Sequence, residues 1–354
     1  MLIQAWHYAA PNYPYTCYDV LYHTPRQHVG GCLWHSFDHQ RGYHPDPFYG
    51  GLMDVFRQPK YSYYMFQAQR SPKKQDRLFE TGPMVYIAHE MTPFSPKDVT
   101  VYSNCDEVRL TYNKGGKSLT YTKPVSREGM PSPIITFKDV YNFMIDKNMS
   151  MKEGRQKEVF LLAEGLINGK VVATHKVCPA RRPSKLLLWI DNENTELKAD
   201  GSDFVTVIAA IADKNGNIKR LNNYYVKFHI EGEGRILGGA NVLANPAPVK
   251  WGTAPILVQS TLKPGKIKIT ASVLFEGSQM PVSAELELES KPSAYPLIYA
   301  SEEAALIPMK SDSQSFPITA KSQKELEKEK AVKEQNERKL KEVEQQQADF
   351  GEKK

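Results

Sequence analysis

Residues 29–70 read VGGCLWHSFDHQRGYHPDPFYGGLMDVFRQPKYSYYMFQAQR. Three kinds of segment follow one another in this stretch. Val29 to Trp34 is a short apolar run opened by two glycines, the pattern of a strand buried on both faces. Next come His35, Asp38, His39, Arg41, Tyr43, His44, Asp46 and Tyr49, a mixture of donors, acceptors and aromatic rings that a plain connection does not need. Pro59 suits the first position of a helix, where the amide hydrogen it lacks would have been unpaired. Tyr61, Tyr64, Met65 and Ala68 recur at the spacing of one helical face. Strand, polar loop and helix in this order form the repeating unit of a (β/α)8 barrel, whose enzymes keep their sites in the loops after the strands.

The run GGCLWHSFDHQRGYHPDPFYGGLMD, continued by FRQPKYSYYMFQ, resembles the eighth strand, loop and helix of the catalytic barrel of glycoside hydrolase family 2, in its β-galactosidase-like branch. The resemblance implies a retaining hydrolysis that needs no cofactor and uses two carboxyl groups roughly 5 Å apart. In that family both are glutamates, one at the end of the fourth strand after an Asn and the other ending the seventh. Both positions lie upstream of the matched stretch. No glutamate precedes Glu80 here, and the pairs Asn192-Glu193 and Asn336-Glu337 stand far outside the barrel-like residues. No catalytic residue is therefore assigned to this chain. The resemblance makes Trp34 the floor of a sugar subsite, since an indole at a strand end can stack on a pyranose. His35, Asp38 and Arg41 look like loop groups that can hydrogen-bond hydroxyls. The plain alternative for these four is packing and loop ordering. A replacement pair of Asp38 and Asp46 is disfavoured, because a loop rich in His and Arg keeps both ionised while an acid needs a raised pKa. Their plainer role is pairing with Arg41 or His44.

Outward from this stretch the pattern changes. Residues 1–70 as a whole read as the C-terminal remnant of a barrel domain. Their first part is dense in Trp6, Tyr8, Tyr13, Tyr15, Tyr18 and Tyr22, with a short helix over Cys17 to His23. With barrel partners missing, Tyr64 and other aromatic residues would lack a surface to pack on, so this segment is expected to be the least stable part of the chain. Residues 71–83, SPKKQDRLFETGP, form a polar linker. From residue 84 short alternating runs rich in Val, Tyr, Thr and Leu take over, broken by Asn, Gly, Pro and Asp, as in all-β sandwiches. VYSNCDEVRLTYN and GLINGKVVATHKV, within 84–180, resemble the immunoglobulin-like domain that follows the barrel in the same family. ADGSDFVTVIAAIADKNGN and FHIEGEGRILGG, within 185–290, resemble the next such domain, with turns at Asp213–Gly216 and Lys263–Gly265. Residues 291–354 are a low-complexity tail in which Lys324 to Gln347 is nearly all Lys, Glu, Gln and Arg. Leu326, Val332, Leu340 and Val343 keep no heptad there, so a solvated helix with Glu/Lys pairs, or disorder, is expected. The fold class expected is mainly β: an incomplete C-terminal piece of a (β/α)8 barrel, two immunoglobulin-like β-sandwiches and a charged tail.

Bulk properties narrow the partners. A chain of 354 residues has room for two or three domains, and its net charge of +6 lies largely beside alternating signs in the tail. No basic patch interleaved with aromatic residues points to nucleic acid. The four cysteines, Cys17, Cys32, Cys105 and Cys178, are too scattered for a disulfide framework or a zinc site, although Cys105 and Cys178 are left open as a pair. Cys32 is read as a small buried residue. His7, His23 and His28 fit no metal-ligand spacing. No membrane span is read, and MLIQAWHYAAPNYPYTC lacks the basic and apolar regions of a signal peptide. The resemblance places the parent enzyme in the periplasm or outside the cell. The partners it implies are a β-linked oligosaccharide or polysaccharide and a separately encoded N-terminal half of the barrel. The competing readings are a non-catalytic carbohydrate-binding module and a purely structural pair of sandwiches.

Overall fold

The structure is a computed structural model, and it describes residues 25, 27, 29–31, 33, 35–42, 47–73, 82–113, 117–122, 130–144, 159–191, 195–274 and 280–294. All of these fall in one compact unit, Met1–Leu297. The fold is mainly β. Helix α1, Tyr61–Gln67, precedes strands β1 (Val85–Ala88), β2 (Val99–Ser103), β3 (Glu107–Tyr112), β4 (Lys117–Thr122), β5 (Ile135–Phe137), β6 (Leu161–Ile167) and β7 (Lys170–Val177). There follow β8 (Lys185–Asp191), β9 (Lys198–Ala199), β10 (Phe204–Ala212), β11 (Tyr225–Gly232), β12 (Gly234–Ile236), β13 (Ala247–Pro248), β14 (Thr253–Ser260), β15 (Gly265–Leu274) and β16 (Ala284–Pro292).

The first seven strands make two sheets, ordered β1-β2-β5 and β4-β3-β6-β7. Alternation in the sequence dictates the facing: Val108 and Leu110 of β3 and Leu161 and Ala163 of β6 turn inward and meet Val99, Val101, Ile87 and Ile135 of the other sheet. The β6–β7 hairpin closes on Asn168-Gly169, both in the left-handed region, as a type I′ turn requires. Strands β3 and β4 pair antiparallel from Tyr112 against Lys117.

The second sandwich pairs a sheet ordered β12-β14-β10-β8 with one ordered β13-β11-β15-β16-β9. Strand β14 alternates strictly between buried and half-buried positions, and Ala254, Ile256 and Val258 face Ile267, Ile269 and Ala271 of β15 across the core. Strand β10 is buried on both faces from Val205 onward, which is why it reads as an unbroken apolar run. The Asp213 turn forms as read. The carboxylate accepts the backbone N–H groups of Asn215 and Asn217, and it also accepts that of Arg181 from the segment joining the two sandwiches. Burial pushes the Asp213 carboxyl up, but these bonds and that from the Asn217 side chain outweigh it and hold the net pKa below the usual range.

The opening stretch departs from its sequence reading at three points. Of residues 29–34, those described lie in no strand, Val29 is fully exposed and Gly30 has φ 133. A parallel barrel strand is held by ladder bonds on both sides, and among the described residues no strand lies beside this one. The helix starts at Tyr61, because Pro59 is bridged to Met53 and the Lys60 N–H is bonded to the Leu52 carbonyl. Finally, α1 has a surface of its own on the first sandwich. Tyr64 stacks on Tyr86 with ring centroids 3.6 Å apart, and Met65 and Ala68 are buried with Ala88 and Tyr102. The Gln69 side chain pairs with both backbone groups of Ser132. Across the linker, Asn104 accepts the Met84 N–H and donates to the carbonyls of Arg70 and Gly82.

Cys105 is buried and Cys178 half-buried, and they share no disulfide. The readings made for Cys17–His23, Cys32, His7, His23, His28 and the tail lie outside the described residues. No helix among the described residues is long and apolar enough to cross a membrane.

Candidate functional site

The loop between residues 35 and 60 orders itself by short backbone ladders. Asp38 and Met53 are linked by the Asp38 N–H to the Met53 carbonyl at 2.9 Å, and His39 and Phe48 exchange both backbone bonds at 3.3 and 2.9 Å. Asp54 accepts the N–H groups of Phe56 and Gln58 and closes a tight turn. Its burial pushes its carboxyl above the usual range despite those bonds. Two glycines allow the chain to fold this closely. A Cβ on Gly51 would lie 2.3 Å from the backbone of Phe37 and Asp38, and one on Gly50 would strike the Phe48 ring.

At the centre is a buried ion pair. Lys60 Nζ donates to Asp38 Oδ1 at 2.5 Å and to the Tyr49 carbonyl at 3.1 Å, while the same Asp38 oxygen accepts the Gly51 N–H at 2.9 Å. Asp38 is thus a loop-ordering carboxylate whose partner is Lys60, where the sequence had offered Arg41 or His44. Lys60 went unread. The signal was a cation directly before an apolar helical face, at a cap position where Ser, Thr, Asp or Asn is the usual choice.

His35 and Arg41 come together on one ring. The imidazoles of His35 and His39 lie 4.1 Å apart, both edge on or tilted to Phe48, and the Arg41 guanidinium sits 5.0 Å from the centre of that ring. Burial first, and then the neighbouring His39, lower the His35 pKa. Trp34 and Asp46 lie outside the described residues. The two described carboxylates of the loop, Asp38 and Asp54, are both engaged inside it. The cluster therefore sets imidazole and guanidinium groups on an aromatic base, chemistry that suits hydroxyls, and among the described residues no carboxylate pair for proton transfer stands beside it.

The loop is fixed to the second sandwich by Gln58, which donates to Asp191 at 2.9 Å, and α1 is fixed by the Tyr61 hydroxyl, which donates to Glu90 at 3.0 Å. Burial raises the pKa of Asp191.

Comparison with known proteins agrees with this architecture. Residues 188–274 match glycoside hydrolase family 2 C-terminal domain 5. The chain is 32% identical over 273 residues to a β-galactosidase of Thermoanaerobacter pseudethanolicus, covering 75% of this chain and 34% of that protein. It is 28% identical over 261 residues to a β-galactosidase of Bacteroides ovatus, covering 69% of this chain and 27% of that protein. A solved β-glucuronidase of glycoside hydrolase family 2 shares the fold over 82% of this chain and 30% of its own, with TM-score 0.55 and 21% identity. The chain spans about a third of the length of the curated relatives it matches. Sequence, sheet architecture and relatives agree, and the chain belongs to glycoside hydrolase family 2, whose C-terminal portion it represents.

Proposed function

We propose that this chain supplies the C-terminal part of a β-galactosidase-type retaining glycosidase, with residues 1–70 completing the barrel and the His35–Lys60 loop forming one wall of the sugar site. The observation that carries this reading is the convergence of His35 and Arg41 on Phe48 in a loop whose described carboxylates, Asp38 and Asp54, are already engaged. Such a cluster serves binding. In this reading the acid/base and nucleophile come from barrel strands outside this stretch, Trp34 stacks on the sugar, and Asp38 acts through Lys60 by holding the loop. The partners are a β-linked oligosaccharide or polysaccharide and the remainder of the barrel.

The test compares this chain alone with a polypeptide that also carries the upstream barrel strands, using an aryl β-galactoside. Hydrolysis is expected only from the longer polypeptide, with KM raised in its Arg41→Ala variant. Turnover by this chain alone would sink the reading.

A further inference from the structure

Two tight turns of this chain share one backbone type with very different residues. In the β6–β7 hairpin the two turn residues are Asn168 and Gly169, with φ 51 and 72. In the β13–β14 connection they are Trp251 and Gly252, with φ 54 and 86, and Lys250 and Thr253 exchange both backbone bonds across them. Both are type I′ turns. Asn is the ordinary first residue of such a turn, because its short polar side chain tolerates the left-handed backbone. A bulky aromatic there is an outlier that something else must compensate.

The surroundings hold the turn rigidly. The Trp251 carbonyl accepts Arg220 Nη1 at 3.2 Å, and the Gly252 carbonyl accepts the Ile211 N–H at 3.1 Å. Gly252 is buried so closely against residues 218–219 that a Cβ would lie 2.7 Å from Ile218 and 2.9 Å from the Lys219 carbonyl. The side chain of Trp251, by contrast, is 44% exposed. Val249 donates to the Tyr224 carbonyl, which brings the exposed residues Asn223 and Lys250 alongside the turn. The result is a half-exposed indole on a turn whose backbone is bonded to its neighbours. One indole face is far below what a stable protein interface buries. It is about the size of one sugar face.

We propose that Trp251 is an accessory stacking platform for one pyranose ring of a neutral oligosaccharide. The proposal rests on the glycosidase reading for its ligand class, and it lies in a different domain from the His35–Arg41 loop. A preorganised indole binds a ring without paying to order a loop, which gives a physical reason to keep Trp in a turn that disfavours it.

The experiment is calorimetric titration of this chain with galacto- and gluco-configured oligosaccharides, repeated with Trp251→Asn and with Arg41→Ala. Trp251→Asn installs the residue that the β6–β7 hairpin uses, so its Tm should hold or rise, while affinity should fall by about tenfold or more, the weight of one stacked ring. Arg41→Ala should remove only the part of the binding held by the 35–60 loop and keep the part that Trp251→Asn removes. The proposal is overturned if wild type takes up no oligosaccharide, if Trp251→Asn binds as wild type does, or if Trp251→Asn melts well below wild type, which would make the indole a packing group. A self-association abolished by Trp251→Asn would make it a contact between copies and would also overturn the proposal. Binding lost in Arg41→Ala but kept in Trp251→Asn would sustain the glycosidase reading and remove Trp251 from it.

Discussion

Glu90 and Arg220 are 130 residues apart in sequence, yet Arg220 Nε donates to Glu90 Oε2 at 2.9 Å. The other carboxylate oxygen, Oε1, accepts the Tyr61 hydroxyl. One carboxylate at the end of the first sandwich therefore holds both the helix of the opening segment and the second sandwich. Both side chains of the ion pair are largely shielded from solvent, at 17% and 25% exposure, so the attraction is screened less than at an open surface.

Replacing Glu90 by Ala leaves Arg220 and the Tyr61 hydroxyl without their partner. The expected cost is about 2 kcal/mol, the scale of hydrogen bonds to a charged group. Glu90→Gln should cost less, since an amide oxygen can still accept from Tyr61. Differential scanning calorimetry checks this, and the sharper sign is cooperativity. A single transition in the wild-type chain should broaden or split in Glu90→Ala as the two sandwiches melt apart. An unchanged melt would mean that apolar contacts alone join them.

The Lys60–Asp38 pair predicts a non-additive result. Removing one member of a buried pair strands the other charge, at a cost of about 3–5 kcal/mol, whereas replacing both with apolar residues of similar size is far cheaper. Lys60→Met should therefore open the 35–60 loop to proteolysis, and Asp38→Leu should do the same. The double variant should be more resistant than either single one. Additive damage would show that the two charges do not depend on each other.

Gly165 stands where β6 bulges, and a Cβ there would lie 2.6 Å from Cys105 Sγ and 3.5 Å from Val85. Gly165→Ala should destabilise by about 1–3 kcal/mol through overpacking. Adding Cys105→Ala removes the sulfur and should restore much of that loss, which a urea titration of the three variants would show. Burial raises the Cys105 pKa, so the thiol itself is a packing group and unreactive.

The legible parts of the sequence were those where local pattern and tertiary context agree. The alternation in β14 and β15, the Asn168-Gly169 turn and the Asp213 turn are each fixed by neighbours in sequence, and each forms. The helical face of Tyr61, Tyr64, Met65 and Ala68 was also legible, but the surface it would find was not. Tyr86 and Tyr102 reach it from strands far along the chain. Val29 to Trp34 looked like a strand because its composition suits burial, yet a strand exists only through partners, which composition does not reveal. At the candidate site, His35 and Arg41 were picked from residue type alone. Lys60 was missed because a lysine beside a helix is ordinarily solvated, and only the fold places a carboxylate under it. The Trp251 turn was hidden for a related reason: Trp-Gly is not a usual type I′ pair, and a φ value is not written in the residue name.

The last prediction concerns pH and two imidazoles under the influence of Glu90, His89 buried and His175 half-buried. His89 accepts the Met91 N–H at Nδ1, so its proton sits on Nε2, which donates to the Pro96 carbonyl at 2.9 Å. His175 lies against Tyr86 and accepts the Ile87 N–H at Nδ1. Protonating either acceptor nitrogen would break a backbone bond and bury a charge. Burial is the largest influence on both and lowers both pKa values from 6.5, while Glu90 pulls them weakly back. Above pH 6.5 both rings are neutral in folded and unfolded chains, and their contribution is complete. As pH falls through 6.5 the unfolded chain takes up protons that the folded chain refuses, so stability drops until the lowered folded values are reached. The limiting slope is about 1.4 kcal/mol per pH unit for each histidine. Carboxylates held below their usual pKa, such as Asp98 and Asp213, lose their stabilisation only at lower pH, while Asp54 and Asp191, held above it by burial, oppose the fall as they take up protons in the folded chain. Urea midpoints measured from pH 7.5 down to about 5 should therefore be flat at first and then fall. His89→Asn, whose side-chain oxygen can accept the Met91 N–H, should flatten part of the fall, with His175 and His35 supplying the rest. An equal fall in His89→Asn and wild type would show that folding does not lower the His89 pKa.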